Sequence, residues 1–357
     1  MTSIAARRLH AQHLTGKPFA SPLDTVRALT AVQAQDYAGG KWALGQRGRG
    51  VTEAMLDRLF DEGAILRTHV LRPTWHFVLP EDIRWLLELT GPRITRGMAG
   101  RHRELELDAK TVARAKAAFA KALAGGRHLT RPELGDVLRK ARISPDGQRL
   151  PHLLFQAELD GLITSGARRG KLQTYALLEE RAPTARRLNP AEAVAELTLR
   201  YFKSHGPAQL QDFVWWSGLT LGDARKGIAV AGKALRLQSI EGKDYWFDAD
   251  AGRAADSARV AHLLPNYDEY TVAYRDRTEI LQAGRTHDPF FVLSNVVTIG
   301  GTIRGGWRRT PKRNGVHVEI SALDRFAPAE ISAVEEAGRR LGSYLERPAQ
   351  LSVRSPG

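Results

Sequence analysis

The chain has no cysteine among its 357 residues. That excludes disulfides, thiolate metal centres and a cysteine nucleophile. No apolar run approaches the roughly 18–20 residues that a membrane span requires. The opening segment "MTSIAARRLHAQHL" carries arginines but no apolar core, so no signal peptide is expected and a cytoplasmic setting is. Familiar catalytic signatures are missing too: there is no glycine-rich phosphate loop, no His-Glu-x-x-His and no nucleophile elbow. The histidines are scattered. His10 and His13 share a helix face, and His69 and His76 are placed on opposite faces of a hairpin, so no metal site is expected.

Acid is scarce relative to base. Lys and Arg number 53 against 39 Asp and Glu, for a net charge of +14 and a sequence pI near 10.2. Such an excess points to a polyanionic partner, of which nucleic acid is the commonest. The excess is also concentrated. Residues 93–189 hold 20 basic and 10 acidic side chains, and the block "GTIRGGWRRTPKRNG" holds five cations and no acid. Two dense blocks fit a DNA-binding surface better than a uniform bias does.

The order of elements repeats. Helices are expected near 4–13, 23–32, 38–46 and 52–60, followed by the strand-like runs "AILRTHV" and "TWHFVLP". A connecting region, "LELTGPRITRGMAGRHRELELD", leads to a helix over 110–123 and a second, "HLTRPELGDVLRKA", with Thr130 as N-cap and Glu133 at the capping-box position. After "RLPHLLFQAELDGLI" come two strands around the basic turn "ARRGK". Asn189, Pro190 and Gly206 then bracket a further helix, two more helices follow, and "LRLQSIEGKDYWFD" reads as a hairpin. Helices followed by a two-stranded wing is the order of a winged helix-turn-helix. The expected fold is therefore mainly α with β wings, an α+β chain of three tandem winged helices (1–92, 93–186 and 187–262) and a C-terminal β-rich region (263–357). That region closes with a helix over 328–345 and a frayed tail, "AQLSVRSPG".

Two polar clusters stand out. In "LPNYDEYTVAYRDR", Asp268 and Glu269 are adjacent and on a strand would face opposite ways, while Arg275, Asp276 and Arg277 suit a structural ion-pair lattice. Trp215-Trp216 suits the core of a helix, with base stacking as the alternative. The second cluster is Gln33-Ala34-Gln35-Asp36, where a helix gives way to a loop. A glutamine amide cannot transfer a proton at neutral pH, yet it both donates and accepts. It can orient a water or turn its carbonyl oxygen toward a developing positive charge. Residue chemistry alone also allows solvated or capping glutamines.

Taken in order, "VQAQD", "LRPTWHFV", "DFVWWSGL", "LLPNYDEYTVAYRDR" and "GTIRGGWRRT" make the chain resemble the tandem winged-helix DNA glycosylases of the AlkZ/YcaQ type over nearly its whole length. The resemblance implies three winged helices around a concave DNA channel and excision of N7-alkylated purines from double-stranded DNA. It also implies bulky natural-product adducts as substrates and, in the AlkZ branch, interstrand crosslinks. That family's motif is Gln–apolar–Gln in the AlkZ branch and Gln–apolar–Asp in the YcaQ branch. Gln33-Ala34-Gln35 fits the former, and Asp36 stands one place late for the latter. Gln33 and Gln35 are thereby marked as catalytic, with no metal or organic cofactor implied and Lys41 the one nearby lysine. DNA contacts are expected from Arg168, Arg169 and Lys171 on one wing and from Arg308, Arg309, Lys312 and Arg313. A groove-probing hairpin is sought between residues 276 and 295. A monomer associated with the nucleoid is expected. The rival readings are a winged-helix transcription regulator and a structural nucleoid binder, neither of which needs the glutamine pair.

Overall fold

A computed structural model of the chain describes residues 3–254, 257–282 and 288–355. Two compact units are present, one formed by Met1–Leu56 with Val194–Gly357 and the other by Asp57–Ala193. Helices dominate, with strands in short hairpins and in one larger sheet.

In the unit Asp57–Ala193, strands Leu66–Val70 and Thr74–Val78 pair antiparallel, with Thr68 opposite His76 and His69 opposite Trp75. Side chains alternate across a strand, so the first pair shares one face and the second pair the other. Thr68 and His76 are fully buried, whereas His69 and Trp75 are half-buried. Helices Ala109–Leu123, Arg131–Lys140 and Arg149–Leu159 then enclose a core containing Phe119, Leu138, Leu154 and Ile163. The starts of the first two are set by side chains. Asp108 Oδ1 accepts from Thr111 N at 2.7 Å, and the Thr130–Glu133 capping box forms as its spacing predicts. Strands Ile163–Ser165 and Thr174–Leu177 follow, with Leu129–Thr130 on the other side of Thr174–Leu177.

One expectation fails here. The connecting region belongs mostly to a long helix, Ile83–Glu104, with Pro92 inside it. Gly91, Pro92, Gly97 and Gly100 have low helix propensity, but Ile83, Leu86, Leu87 and Ile94 bury one helical face, and Trp85 is buried as well. Burial of that face outweighs the propensity cost. Gly91 serves packing, because a Cβ there would stand 2.9 Å from the Leu159 carbonyl oxygen.

In the other unit a five-stranded sheet runs in the order Ala349–Arg354, Gly315–Ala322, Thr302–Lys312, Val296–Ile299, Ala261–Leu264. Its pairings are antiparallel except the first, where Ala349–Arg354 lies parallel to Gly315–Ala322. The expected frayed tail is thus largely an edge strand, and the antiparallel hairpin pattern gave no cue for a parallel partner returning after helix Pro328–Tyr344. Helices Leu210–Ser217 and Leu221–Ala231 and the hairpin Leu235–Ile240/Lys243–Asp248 belong to this unit as well. So does an aromatic core of Tyr201, Phe202, Phe213 and Trp216.

Candidate functional site

The Gln33–Asp36 segment is fixed at both ends by local chemistry. Helix Pro22–Leu29 begins at Ser21, whose Oγ accepts from Asp24 N at 3.2 Å, and stops at Thr30, whose φ of 69° turns the chain. A short extended piece, Val32–Gln33, follows. Asp36 then caps helix Tyr37–Gly45, its Oδ1 accepting from Ala38 N at 3.0 Å and Gly39 N at 3.1 Å. Between these anchors Val32 and Ala34 are buried. Gln33 is buried too, at 5% exposure, whereas Gln35 is exposed. The two glutamines thus have different roles. Gln33 Oε1 accepts from Gln35 N at 3.1 Å, so the buried amide holds the backbone of the exposed one.

Gln33 is itself held by a residue that sequence reasoning missed. Its backbone N–H donates to Glu269 Oε1 at 2.7 Å. Glu269 is fully buried, and its second oxygen accepts from Trp216 Nε1 at 2.9 Å and pairs with His205 Nε2 at 3.3 Å. A buried carboxylate is costly unless met by donors, and these three meet it. Asp268 and Glu269 are not on a strand. Asp268 caps the short helix Glu269–Val272, with Oδ1 accepting from Tyr270 N at 2.9 Å. The buried Arg47 grips Asp268 with two bonds, at 2.9 and 2.7 Å, and reaches Gln12 Oε1 at 2.8 Å. Gln12 Nε2 in turn donates to Tyr274 Oη at 2.9 Å. The adjacent acids thus divide the work, Asp268 fixing the helix start and Glu269 fixing the glutamine loop. The available signal was the pair of adjacent acids between the aromatic residues Tyr267 and Tyr270, which demand donors from elsewhere.

A second segment of that motif also reaches the loop. A Cβ on Gly39 would lie 2.9 Å from Asn266 Oδ1 and 3.1 Å from Asp36 Oδ2, so glycine is what lets these groups approach. Asn266 is held through its backbone, N donating to Asn295 Oδ1 at 2.8 Å.

Among the tryptophans, Trp216 is core and ties to Glu269, while Trp215 is 40% exposed and donates to the Val272 carbonyl at 3.0 Å. The expected lattice of Arg275, Asp276 and Arg277 takes another form. Asp276 pairs with Lys243 at 2.8 Å, Arg277 Nε donates to the Thr271 carbonyl, and Arg275 N donates to Asp212 Oδ1. Burial raises the Asp212 carboxyl above its ordinary range, and the neighbouring Arg8 pulls it back.

The basic candidates sit in two places. Between strands Ile163–Ser165 and Thr174–Leu177, Arg168 pairs with Asp57 at 3.1 Å and Asp61 at 3.4 Å, Arg169 pairs with Glu133 at 2.7 Å, and Lys171 is exposed. On the Thr302–Lys312/Gly315–Ala322 hairpin, Arg308 pairs with Glu319 at 2.7 Å, Arg309 is half-buried, and Lys312 and Arg313 are exposed at the turn. The segment sought as a groove probe, 276–295, includes residues 283–287, which lie outside the described residues.

Two carboxylates, Asp36 and Glu269, fix the glutamine loop, and what it presents is the exposed Gln35 amide on a backbone held from below. Residues 26–344 match the family described as "DNA glycosylase AlkZ-like". Among solved structures the chain is similar to Streptomyces sahachiroi DNA glycosylase AlkZ, at 20% identity and a TM-score of 0.76 over 98% of each chain, a likeness of fold. No curated protein sequence matches it at a significant level. With the profile spanning most of its length, the chain belongs to the AlkZ-like DNA glycosylase family.

Proposed function

We propose that this glycosylase is monofunctional and hydrolyses the N-glycosidic bond of N7-alkylated purines in duplex DNA, with Gln35 and Gln33 at the reacting centre. Bulky adducts, and interstrand crosslinks joined through N7, are its proposed substrates. The observation that carries this reading is the exposed Gln35 whose backbone is locked by Gln33 Oε1, itself locked by Glu269.

N7 alkylation places a positive charge on the purine. When the C1′–N9 bond breaks, its electron pair neutralises the ring, so the base leaves uncharged and needs no general acid. The sugar becomes oxocarbenium-like, and water adds at C1′ and releases a proton to solvent. An enzyme for this step must place a water and stabilise positive charge, and rigid dipoles suit both tasks. The Gln35 carbonyl oxygen accepts from the attacking water and orients its lone pair toward C1′. Gln33 acts chiefly through the backbone of Gln35. Three winged helices, over 1–92, 93–186 and 187–262, are the proposed DNA-binding frame. Lys171, Lys312 and Arg313 are the foremost phosphate contacts. Arg168, Arg169 and Arg308 are already met by carboxylates, which offset part of their charge, and Arg309 is half-buried. Phosphate contacts give affinity without sequence choice, which suits an enzyme for lesions.

The test is release of adducts from duplexes carrying N7-alkylguanines of two sizes, and of an N7-linked crosslink, read as alkali-cleavable abasic sites. Release from any of these supports the reading. Duplex binding with no release from all three overturns it and favours a regulator.

A further inference from the structure

The unit Asp57–Ala193 contains a cavity of about 520 Å³. Its walls are aromatic, formed by the half-buried rings of Trp75, Phe155 and Tyr175 together with His69. His69 lies 3.9 Å from the Trp75 centroid and 4.6 Å from that of Phe155. The floor is Glu158, which is fully buried. His69 Nδ1 stands 2.6 Å from Glu158 Oε2, while Oε1 is buried with no hydrogen-bond partner.

That last pair of facts fixes the polarity of the floor. A 2.6 Å contact between Nδ1 and Oε2 requires one proton between them. An ionised Glu158 that accepts this bond at Oε2 leaves Oε1 as a second acceptor. Burial pushes the Glu158 carboxyl up, and His69 opposes the shift. A buried acceptor without a donor costs free energy that a ligand recovers by supplying one. Flat aromatic walls select a flat ligand, and the exposed Arg131 at the same cavity adds a cation suited to phosphate.

We propose that this cavity binds a planar nitrogen heterocycle bearing an amino group, a nucleobase stacked among Trp75, Phe155 and Tyr175 with its N–H₂ donating to Glu158 Oε1. Such a base comes from two sources, an unpaired position in a DNA strand or a free nucleoside. Nucleoside binding is read directly, so the site is open to test without any glycosylase activity.

The experiment is calorimetric titration of the full chain with adenosine and with purine riboside, which differ by one amino group. Adenosine should bind about tenfold more tightly, the worth of one hydrogen bond to a charged acceptor. Glu158→Gln keeps the shape and lets its carbonyl face His69, turning an amide N–H₂ toward the ligand. The preference for adenosine should then vanish. Trp75→Leu, at a half-buried ring, should weaken both ligands together. Equal binding of the two nucleosides to the unaltered protein, or binding of neither, overturns the proposal without recourse to any variant. So does an undiminished adenosine preference in Glu158→Gln. Displacement of adenosine by oligodeoxyadenylate, and not by an abasic strand, assigns the pocket to a strand base. Adenosine binding that no strand displaces assigns it to the free nucleoside, and either result supports the shared chemistry.

Discussion

Replacing Glu269 by Gln is the perturbation that most directly probes how the glutamine loop is held. The change keeps volume but turns one acceptor oxygen into a donor N–H₂. Oriented one way, the amide faces the Trp216 and His205 donors with N–H₂ and forfeits both bonds. Oriented the other way, it forfeits only the bond to Gln33 N, which at 2.7 Å is the shortest of the three. The second orientation loses fewer bonds, so the variant should keep its aromatic neighbours and release Gln33. A hydrogen bond to a charged group contributes about 1.5–3 kcal/mol. The facing donors add a repulsive penalty, so about 2–4 kcal/mol of stability should go. For a unit of this size that corresponds to a fall in Tm of about 4–16 °C. Activity should fall further than stability suggests, because a misplacement of about 1 Å costs roughly 10²-fold in rate. Thermal unfolding read beside single-turnover base release, at a temperature where the variant is folded, gives both numbers. DNA affinity should stay within a factor of about two, since Glu269 is fully buried. A variant with unaltered Tm and unaltered release would refute the claim that Glu269 positions the loop.

Three further perturbations follow from the same geometry. Gly39→Ala places a methyl 2.9 Å from Asn266 Oδ1, so base release should fall about tenfold with a stability loss of about 1–2 kcal/mol, read by the same two assays. His262 is fully buried, and desolvation chiefly holds its pKa down at about 3, with Arg340 adding to the effect and the bond to the Leu14 carbonyl opposing it. A folded pKa below the unfolded value means the unfolded chain takes up the proton first. The stabilisation is therefore complete above about pH 6.5 and lost as pH falls, at about 1.4 kcal/mol per pH unit down toward pH 3. His262→Gln should flatten that slope in urea titrations between roughly pH 6 and 4, and an unchanged slope would contradict the assignment. Lys312→Ala and Arg313→Ala should each reduce the salt dependence of duplex binding by about one unit of log–log slope, with no change in preference between sequences.

Much of the fold was legible because its local signals agreed. The Thr130–Glu133 box, the Asn189 cap, the Glu241-Gly242 turn and the alternation across His69 and His76 all come from contacts within a few residues. The failures were long-range. Gly91 and Pro92 lower helix propensity, and the packing that keeps the helix going, with the Leu159 carbonyl pressed against Gly91, comes from residues far along the chain. The strand Ala349–Arg354 is decided by a partner strand before the last helix. At the site, the glutamine motif was readable as a pattern, but the asymmetry within it was not. Whether Gln33 or Gln35 faces solvent depends on Glu269, more than 200 positions away in the chain. The pairing of Arg168 with Asp57 and Asp61 was hidden for the same reason, since a basic turn looks equally free whether or not carboxylates fold against it.

The most direct test of the central claim is single-turnover release of an N7-alkylguanine from duplex DNA by Gln35→Ala, with DNA affinity measured on the same preparation. The exposed amide is not part of the core, so folding and binding should persist while release falls by about 10²–10³-fold, the scale of losing one preorganised dipole at a reacting centre. Release within a factor of about two of the unaltered enzyme, with affinity also unchanged, would show that Gln35 does not place the water and that the reacting centre lies elsewhere in the chain.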